Sequence, residues 1–240
     1  MKKALAFLLC VISLACGAVE SRKPLKHVSV DVFDAESVRR GAGYFANYCL
    51  GCHGIKQMRY SRIGKDLKLS EEQMRGEFLF GDAKIHDYIR TAMAPADSAK
   101  AFGVVPPDLS LIVRARGADW IYGYLLGFYA DPKRPFGVNN IVAPNVAMPN
   151  VLWQLQGTQE PVISVVKGMP EVVDVRLSEP GTLRTQEFDR AVTDLVNFLA
   201  YVAEPSKLER LPLGKYVIAF LVLLTVILFK LKKEFWKDLD

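Results

Sequence analysis

Cysteine and histidine are scarce in this chain: its 240 residues include four cysteines and three histidines, without internal repeats or low-complexity segments. A structural zinc site needs four ligands. His27 and His86 have no neighbouring cysteine with which to share a metal, so the composition argues against such a site, and we assign neither histidine a role. What remains is one short cluster, in which Cys49 and Cys52 are followed by His53.

The first eighteen residues have the three-part layout of a secretory signal peptide. Lys2 and Lys3 provide a positive start, residues 4–15 are apolar, and small residues lead up to Ala18. About twelve apolar residues are few for an uncleaved membrane anchor, which is the main alternative. A lipoprotein signal ending at Cys16 is a further one. We expect residues 1–18 to be a cleaved signal peptide, which removes two of the four cysteines.

A second apolar segment lies near the C-terminus. Tyr216–Phe229 is apolar apart from Thr225, and several lysines follow it. With its flanking leucines the segment is long enough to cross a bilayer, and positive flanks stay in the cytoplasm. We therefore expect a single-pass inner-membrane protein with a periplasmic domain over residues 19–210, a transmembrane helix over 211–231 and a cytoplasmic tail over 232–240.

The residues Cys49-Leu50-Gly51-Cys52-His53 have the C-x-x-C-H pattern of covalent c-type haem attachment. Two thiols at this spacing add to the two vinyl groups of one haem, and the adjacent imidazole then faces the iron. A redox-active dithiol is an alternative, but the thioredoxin-like βαβ setting typical of one is missing. A plain disulfide would leave His53 unexplained. The motif predicts one covalently bound haem c with His53 as an axial ligand.

A methionine is the usual second axial ligand in an electron-carrying haem protein. The chain after the signal peptide has five: Met58, Met74, Met93, Met148 and Met169. The first three are too close to His53 or lie in or beside helix-like stretches, where a core role is expected. Met148 lies in a proline-bounded loop, Pro144–Pro149, far along the chain from His53. We favour Met148 as the iron ligand, with Met169 as the second choice.

The pattern of apolar residues predicts a mainly α-helical c-type cytochrome domain with long loops around one haem, plus a single C-terminal transmembrane helix. A capping-box pattern, Ser70 followed by Gln73, predicts a helix start. The other predicted elements are helices over Val38–Cys49, Ala83–Met93, Ala118–Phe128 and Thr185–Val202, a long loop over Asp131–Gly157, a hairpin within Val162–Leu177 and a linker over Leu208–Lys215.

Several blocks of this sequence resemble the cytochrome c1 family in its bacterial form. Members of that family are the haem c subunit of the quinol–cytochrome c oxidoreductase (cytochrome bc1) complex. The matching blocks are M-R-Y at Met58–Tyr60, P-P-D-L-S-x-I-V-R-A-R at Pro106–Arg116, A-M-P at Ala147–Pro149, and the last predicted helix with Glu204-Pro205 and the single span. The resemblance covers nearly all of the exported chain and strengthens the assignment of Met148.

The resemblance adds three residues to the haem site. It implies that Arg116 pairs with a haem propionate, for which a bidentate guanidinium is suited. It implies that Pro106 and Pro107 line the haem, with a nearby backbone carbonyl orienting His53. The sequence departs from the family at Trp120, where tyrosine is frequent.

The implied function is a relay of single electrons, from a Rieske-type iron–sulfur subunit through the haem to a soluble or tethered c-type cytochrome. A cytochrome b subunit would be a further partner. The chain would make no bonds itself and would belong to an enzyme only as the electron-relay subunit of the complex. Residues 19–229 contain 25 basic and 23 acidic residues, without the acidic excess that attracts a basic cytochrome c. We expect no nucleic-acid partner.

Two other functions compete with this reading. A free-standing membrane-tethered monohaem shuttle would have the same haem ligands, and a long flexible linker to the span would favour it. The short segment Leu208–Lys215 argues for a fixed position instead. A haem enzyme or gas sensor needs an open iron site or a second haem, and both are disfavoured by the single motif and by Met148.

Overall fold

The computed structural model describes residues 25–166 and 168–237, so the predicted signal peptide lies outside the described residues. The helices are α1 (Ala35–Tyr44), α2 (Tyr60–Asp66), α3 (Glu71–Glu77), α4 (Pro95–Phe102), α5 (Ile112–Arg116), α6 (Ala118–Leu126), α7 (Trp153–Gln156), α8 (Thr185–Ala203) and α9 (Lys207–Phe235). A π-helical segment, Phe45–Cys49, continues α1. The strands are β1 (Ile55–Arg59), β2 (Tyr88–Ile89), β3 (Phe128–Ala130), β4 (Val138–Asn140), β5 (Gly157–Val166) and β6 (Met169–Pro180).

Helices α1 and α8 pack against each other at the centre of the domain. One face of α8 repeats apolar residues at helical spacing, and this face is buried. The two backbones approach closely at Gly41, where an added Cβ would lie 2.0 Å from the Asp194 carbonyl oxygen. Glycine is required at this crossing because any side chain would push the helices apart.

A buried polar network joins the same two helices. Asp194 is 4% exposed, and its carboxylate accepts hydrogen bonds from Ser37 Oγ at 2.6 Å and from the Arg40 guanidinium at 2.7 and 2.9 Å. The Asn197 amide donates to Ser37 Oγ at 2.8 Å. A buried carboxylate is tolerated only when its oxygens are paired, and here each oxygen has a partner.

The described strands form three separate antiparallel pairs, β1–β2, β3–β4 and β5–β6. The third pair is a hairpin whose pairing runs from Gly157 opposite Pro180 to Val166 opposite Met169, with register shifts after Thr158 and after Val162. It is longer than the predicted hairpin, which was limited to Val162–Leu177, although its position is as expected. Its turn end is exposed, as Val165 and Met169 show at 72% and 62% exposure.

Most of the predicted helices are present. The capping box is formed, since Ser70 Oγ accepts from the Gln73 amide at 3.2 Å and Gln73 Oε1 accepts from the Ser70 amide at 2.9 Å. Helix α1 with its π-helical continuation covers the whole of the predicted Val38–Cys49. Helices α6 and α8 correspond to the predictions Ala118–Phe128 and Thr185–Val202. The mainly α-helical class is confirmed.

The predicted helix over Ala83–Met93 is wrong. This segment consists of turns and the short strand β2. Pro95 does not end a helix there but begins the next one, α4. Asp87 closes a local turn by accepting from the Lys84 amide at 2.9 Å, as aspartate side chains often do. Proline is favoured in the first turn of a helix because its missing N–H would be unpaired there.

The predicted link to the span, Leu208–Lys215, is helical and forms the start of α9. Within the described ranges α9 is the one helix long and apolar enough to cross a membrane. Its 29 residues correspond to about 43 Å. Arg62 ties its start to the domain by donating to Glu209 at 3.2 Å and to the Pro205 carbonyl at 3.4 Å.

Replacement of Gly41 by alanine is expected to lower the free energy of unfolding by about 1–3 kcal/mol or more, since the new methyl group overlaps the backbone of α8. Gly43, also in α1, has nothing within 4 Å of an added Cβ. The matched control Gly43→Ala should be neutral or stabilising by about 0.5–1 kcal/mol. Denaturant unfolding of both variants in detergent, followed by circular dichroism, measures the difference. Equal stability of the two would contradict the close crossing.

Candidate haem-binding site

The C-x-x-C-H motif begins at the end of the π-helical segment. Leu50 donates its amide hydrogen to the Phe45 carbonyl at 2.9 Å, which is the wider π-type turn. The Cys49 carbonyl then accepts from the amides of Cys52 at 3.0 Å and His53 at 2.8 Å. This single turn places both thiols and the imidazole on one short, hydrogen-bonded piece of backbone. Both cysteines are free thiols in this structure.

The environment of Cys49 differs from that of a reactive dithiol. Burial, with a smaller contribution from Cys52, raises the pKa of the Cys49 thiol to about 12. Cysteines that exchange disulfides have a lowered pKa, because the thiolate is the reactive form. Burial therefore keeps Cys49 in the thiol form and not in the thiolate form that disulfide exchange requires of an attacking cysteine.

His53 is oriented by the backbone of a distant loop. Its Nδ1–H donates to the Pro107 carbonyl oxygen at 2.7 Å. Burial lowers the pKa of His53, although the bond to Pro107 opposes this effect. The imidazole is therefore neutral at neutral pH, with its proton on Nδ1 and the lone pair of Nε2 free. That is the form in which histidine binds a metal.

The Pro106–Ser110 loop is itself fastened to the chain just after the motif. Leu109 donates its amide hydrogen to the Gly54 carbonyl at 2.8 Å. The Asp108 carboxylate accepts from the Lys56 amide at 2.8 Å and from the Ser110 amide at 3.1 Å. These bonds hold the Pro107 carbonyl in place. The Pro107 carbonyl thus lies at His53, and the lining of a haem by Pro106 and Pro107 stays a prediction.

Met148 lies in a loop that is held to helix α6. The Tyr124 hydroxyl donates to Met148 Sδ at 3.3 Å. Asn140 donates to the Tyr124 carbonyl at 2.7 Å, and its side-chain oxygen accepts from the amides of Val142 and Ala143. The loop that carries Met148 is therefore anchored by side-chain hydrogen bonds and not by regular secondary structure.

The other methionines are placed less well for a ligand. Met58 and Met74 are core residues at 3% and 0% exposure, whereas Met169 starts β6 at the exposed end of the hairpin. Met93 lies two residues after Thr91, and the Thr91 hydroxyl donates to the carbonyl of Gly51, within the C-x-x-C-H motif, at 2.8 Å. Met148 is the candidate that combines a loop position, partial burial and a polar hydrogen at its sulfur.

Arg116 is the last residue of α5. Its guanidinium lies 5.1 Å from the centre of the Trp120 ring, and within the described residues it has no carboxylate partner. An unpaired guanidinium beside an aromatic face suits an incoming carboxylate. Arg116 is exposed, and its bond to a haem propionate stays a prediction.

Sequence reasoning missed three residues that shape this site: Tyr124, Arg134 and Asn140. The Arg134 guanidinium donates to the carbonyl oxygens of Asn145 at 2.9 Å and Val146 at 3.4 Å. Asparagines before an irregular loop are a turn signal, so Asn139-Asn140 could have drawn attention. No local signal marks the other two residues.

The donor set fits a haem c. Two free thiols at the required spacing, an imidazole with one nitrogen tied and the other free, a thioether and an unpaired guanidinium are the groups that such a cofactor needs. Among the described residues no cluster of three or more histidine, cysteine or carboxylate side chains could hold a separate metal ion. Fold and site together define a membrane-anchored c-type cytochrome.

A sequence model of the Cytochrome C1 family matches residues 26–239, and the chain belongs to this family. Members bind one covalently attached haem c, and the chain is accordingly an electron-transfer protein. It is 47% identical to the cytochrome c1 of Allochromatium vinosum, over 99% of this chain and 98% of that protein.

Two further relatives carry names that refer to enzyme complexes. The chain is 41% identical to a protein of Nitrosomonas europaea named ammonia monooxygenase gamma subunit, over 97% of both chains. It is 28% identical to a Candida albicans protein named cytochrome b-c1 complex catalytic subunit, over 86% of this chain and 73% of that protein.

Replacement of Asp108 by alanine is expected to cost about 1–3 kcal/mol of unfolding free energy, since it leaves the Lys56 and Ser110 amides unpaired. The released loop should also loosen the Pro107 carbonyl and lower the fraction of chain that carries haem. Asp82→Ala, at an exposed aspartate, is the control. Denaturation curves and the ratio of haem to protein measure the two effects. A variant indistinguishable from the control would refute the fastening role of Asp108.

Proposed function

We propose that the chain relays single electrons within a quinol–cytochrome c oxidoreductase complex, through one haem c held by Cys49, Cys52, His53 and Met148. The observation that carries this proposal is the His53 geometry, in which Nδ1 is tied to Pro107 at 2.7 Å and Nε2 is free. When bound, the haem supplies a one-electron couple. The protein itself needs no acid–base residue for such a task.

Each site residue has a distinct part in this proposal. Cys49 and Cys52 would form the thioether bonds, and His53 and Met148 would supply a nitrogen and a sulfur to the iron. Histidine–methionine ligation raises a haem potential and excludes other ligands. Arg116 would neutralise a propionate, and Pro106 and Pro107 would form part of the haem contact surface.

The proposed topology follows from the two apolar segments. Residues 1–18 would be removed on export, residues 19–210 would form the periplasmic domain, residues 211–231 would span the inner membrane, and residues 232–240 would stay in the cytoplasm. The lysines after Phe229 support this direction.

The connection between α9 and the domain favours a haem domain in a fixed position over a free-standing tethered electron shuttle. Only Glu204–Ser206 separates α8 from α9, and Arg62 and Arg210 bridge the junction through Glu209 and Glu204. A domain on a long flexible linker could visit distant partners. A domain held this way would depend on partners that come to it: a cytochrome b subunit alongside, a mobile Rieske-type iron–sulfur subunit as donor and a c-type cytochrome as acceptor.

Replacement of Met148 by leucine is expected to lower the midpoint potential by an amount on the order of 100 mV, because leucine cannot bind iron. It should also remove the charge-transfer band that ferric haem shows at the red end of the visible spectrum when methionine is a ligand. Met169→Leu, at an exposed turn position, serves as the control. A potentiometric titration of both variants decides between the two methionines, and loss of the band in Met169→Leu would reverse the assignment.

Full-length protein with a C-terminal tag, purified in detergent from its native membrane, should co-purify with b-type haem, and its own haem should be reduced rapidly by an added quinol. An inhibitor of quinol oxidation should block this reduction, whereas a chemical reductant should still act. A c-type haem that purifies alone and ignores quinol would favour the tethered shuttle. Recovery with oxygenase subunits and without b-type haem would place the chain in a different complex.

A further inference from the structure

The Tyr124 hydroxyl makes an unusual choice of acceptor. It donates to Met148 Sδ at 3.3 Å, and among the described residues this sulfur is its one hydrogen-bond acceptor. A thioether is a weak acceptor, and a buried hydroxyl usually finds an oxygen instead. The contact joins residues 24 positions apart in the chain, so it is not a by-product of helix geometry.

The Tyr124 ring packs against two other aromatic rings, and its backbone carbonyl is held as well. It stacks on Trp120 with ring centres 5.0 Å apart and planes within 10° of parallel. The Phe128 ring meets it edge-on at 5.2 Å. Asn140 donates to the Tyr124 backbone carbonyl at 2.7 Å. These contacts fix the direction of the hydroxyl. A tyrosine that only filled space in the core would not need such a fixed hydroxyl.

The sulfur is held from the other side by its loop. Arg134 donates to the carbonyl oxygens of Asn145 and Val146 at 2.9 and 3.4 Å. The Asn139 side-chain oxygen accepts from the Asn145 amide at 2.8 Å. Pro149 restricts the backbone directly after the sulfur. Donor and acceptor are thus positioned independently and meet at the thioether.

We propose that Tyr124 is a positioning residue for Met148: its hydroxyl directs the thioether and withdraws electron density from the sulfur, and so raises the reduction potential of the haem. A thioether sulfur has two lone pairs, of which one can bind iron while the other accepts the hydroxyl hydrogen. When the sulfur donates less electron density, ferric iron loses more stabilisation than ferrous iron does. Reduction of the iron then becomes more favourable. This inference rests on the proposed role of Met148 as iron ligand.

Tyr124→Phe removes the hydroxyl and keeps the ring. At a fixed ambient potential the ratio of ferrous to ferric haem should fall about three- to tenfold, which is the size of one lost hydrogen bond and corresponds to about 30–60 mV for a one-electron couple. The charge-transfer band of methionine ligation should persist with a shifted position. Thermal stability alone would not produce either change.

Tyr122→Phe is the matched control, since Tyr122 lies two residues earlier in α6 and its hydroxyl donates to Asp189 at 2.6 Å, away from Met148. Its potential and band should equal those of the wild type. If Tyr124→Phe also equals the wild type while retaining the band, the tuning role is refuted and Met148 ligation stands. If the wild type itself lacks the band, the proposed ligation fails first.

A measurement on the unmutated protein covers the case in which Tyr124→Phe does not load haem. In the reduced full-length protein, with its methionine methyl groups isotopically labelled, nuclear magnetic resonance should show a slowly exchanging hydroxyl proton close to the Met148 methyl group. Assignment of that proton to Tyr124 supports the proposal. A hydroxyl that exchanges freely with water and shows no contact with the methyl group would overturn it.

Discussion

One hydrogen bond, from Nδ1 of His53 to the Pro107 carbonyl, joins two stretches of chain 54 residues apart. It selects the tautomer of the imidazole, because a carbonyl oxygen can only accept and Nδ1 must therefore carry the proton. It also restricts the orientation of the ring. The Pro107 carbonyl is in turn held by the hydrogen bonds that oxygens of Gly54, Asp108 and Ser110 accept from nearby backbone amides. The orientation of Nε2 therefore depends on the Pro107 loop as well as on the C-x-x-C-H motif.

The site divides into a rigid side and a looped side. Helix α1 is locked to α8 by the close approach at Gly41 and by the buried carboxylate of Asp194. The π-helical segment that follows widens the last turn before the motif, and such segments are frequent at functional sites. The looped part carries Met148 and depends on side-chain hydrogen bonds. Arg134 donates to the Asn145 carbonyl, Asn139 accepts from the Asn145 amide, and Asn140 accepts from the Val142 and Ala143 amides. The C-x-x-C-H motif thus follows a packed helix pair, whereas Met148 is carried by a loop that side-chain hydrogen bonds hold.

Sequence reasoning succeeds here where the signal is local. The capping box at Ser70, the apolar face of α8 and the C-x-x-C-H spacing each depend on residues within a few positions, and each corresponds to an observed element. It fails at Ala83–Met93 because turn-closing hydrogen bonds such as that of Asp87 outweigh helix propensity. It also misses Tyr124 and Arg134, whose roles exist only once α6 and the following loops have come together.

The connection between the domain and the membrane span has the most consequence for function. Flexible attachment lets a tethered domain sample a large volume, which lowers its effective concentration at any one partner. Helix α9 instead begins four residues after α8 ends, and Arg62 grips its first turn through Glu209 while it also pairs with Asp66 at 2.6 Å. Leu208 packs against the domain core. A haem at the site would therefore keep a set height above the membrane, so the moving parts of an electron relay built on this chain would have to be its donor and its acceptor.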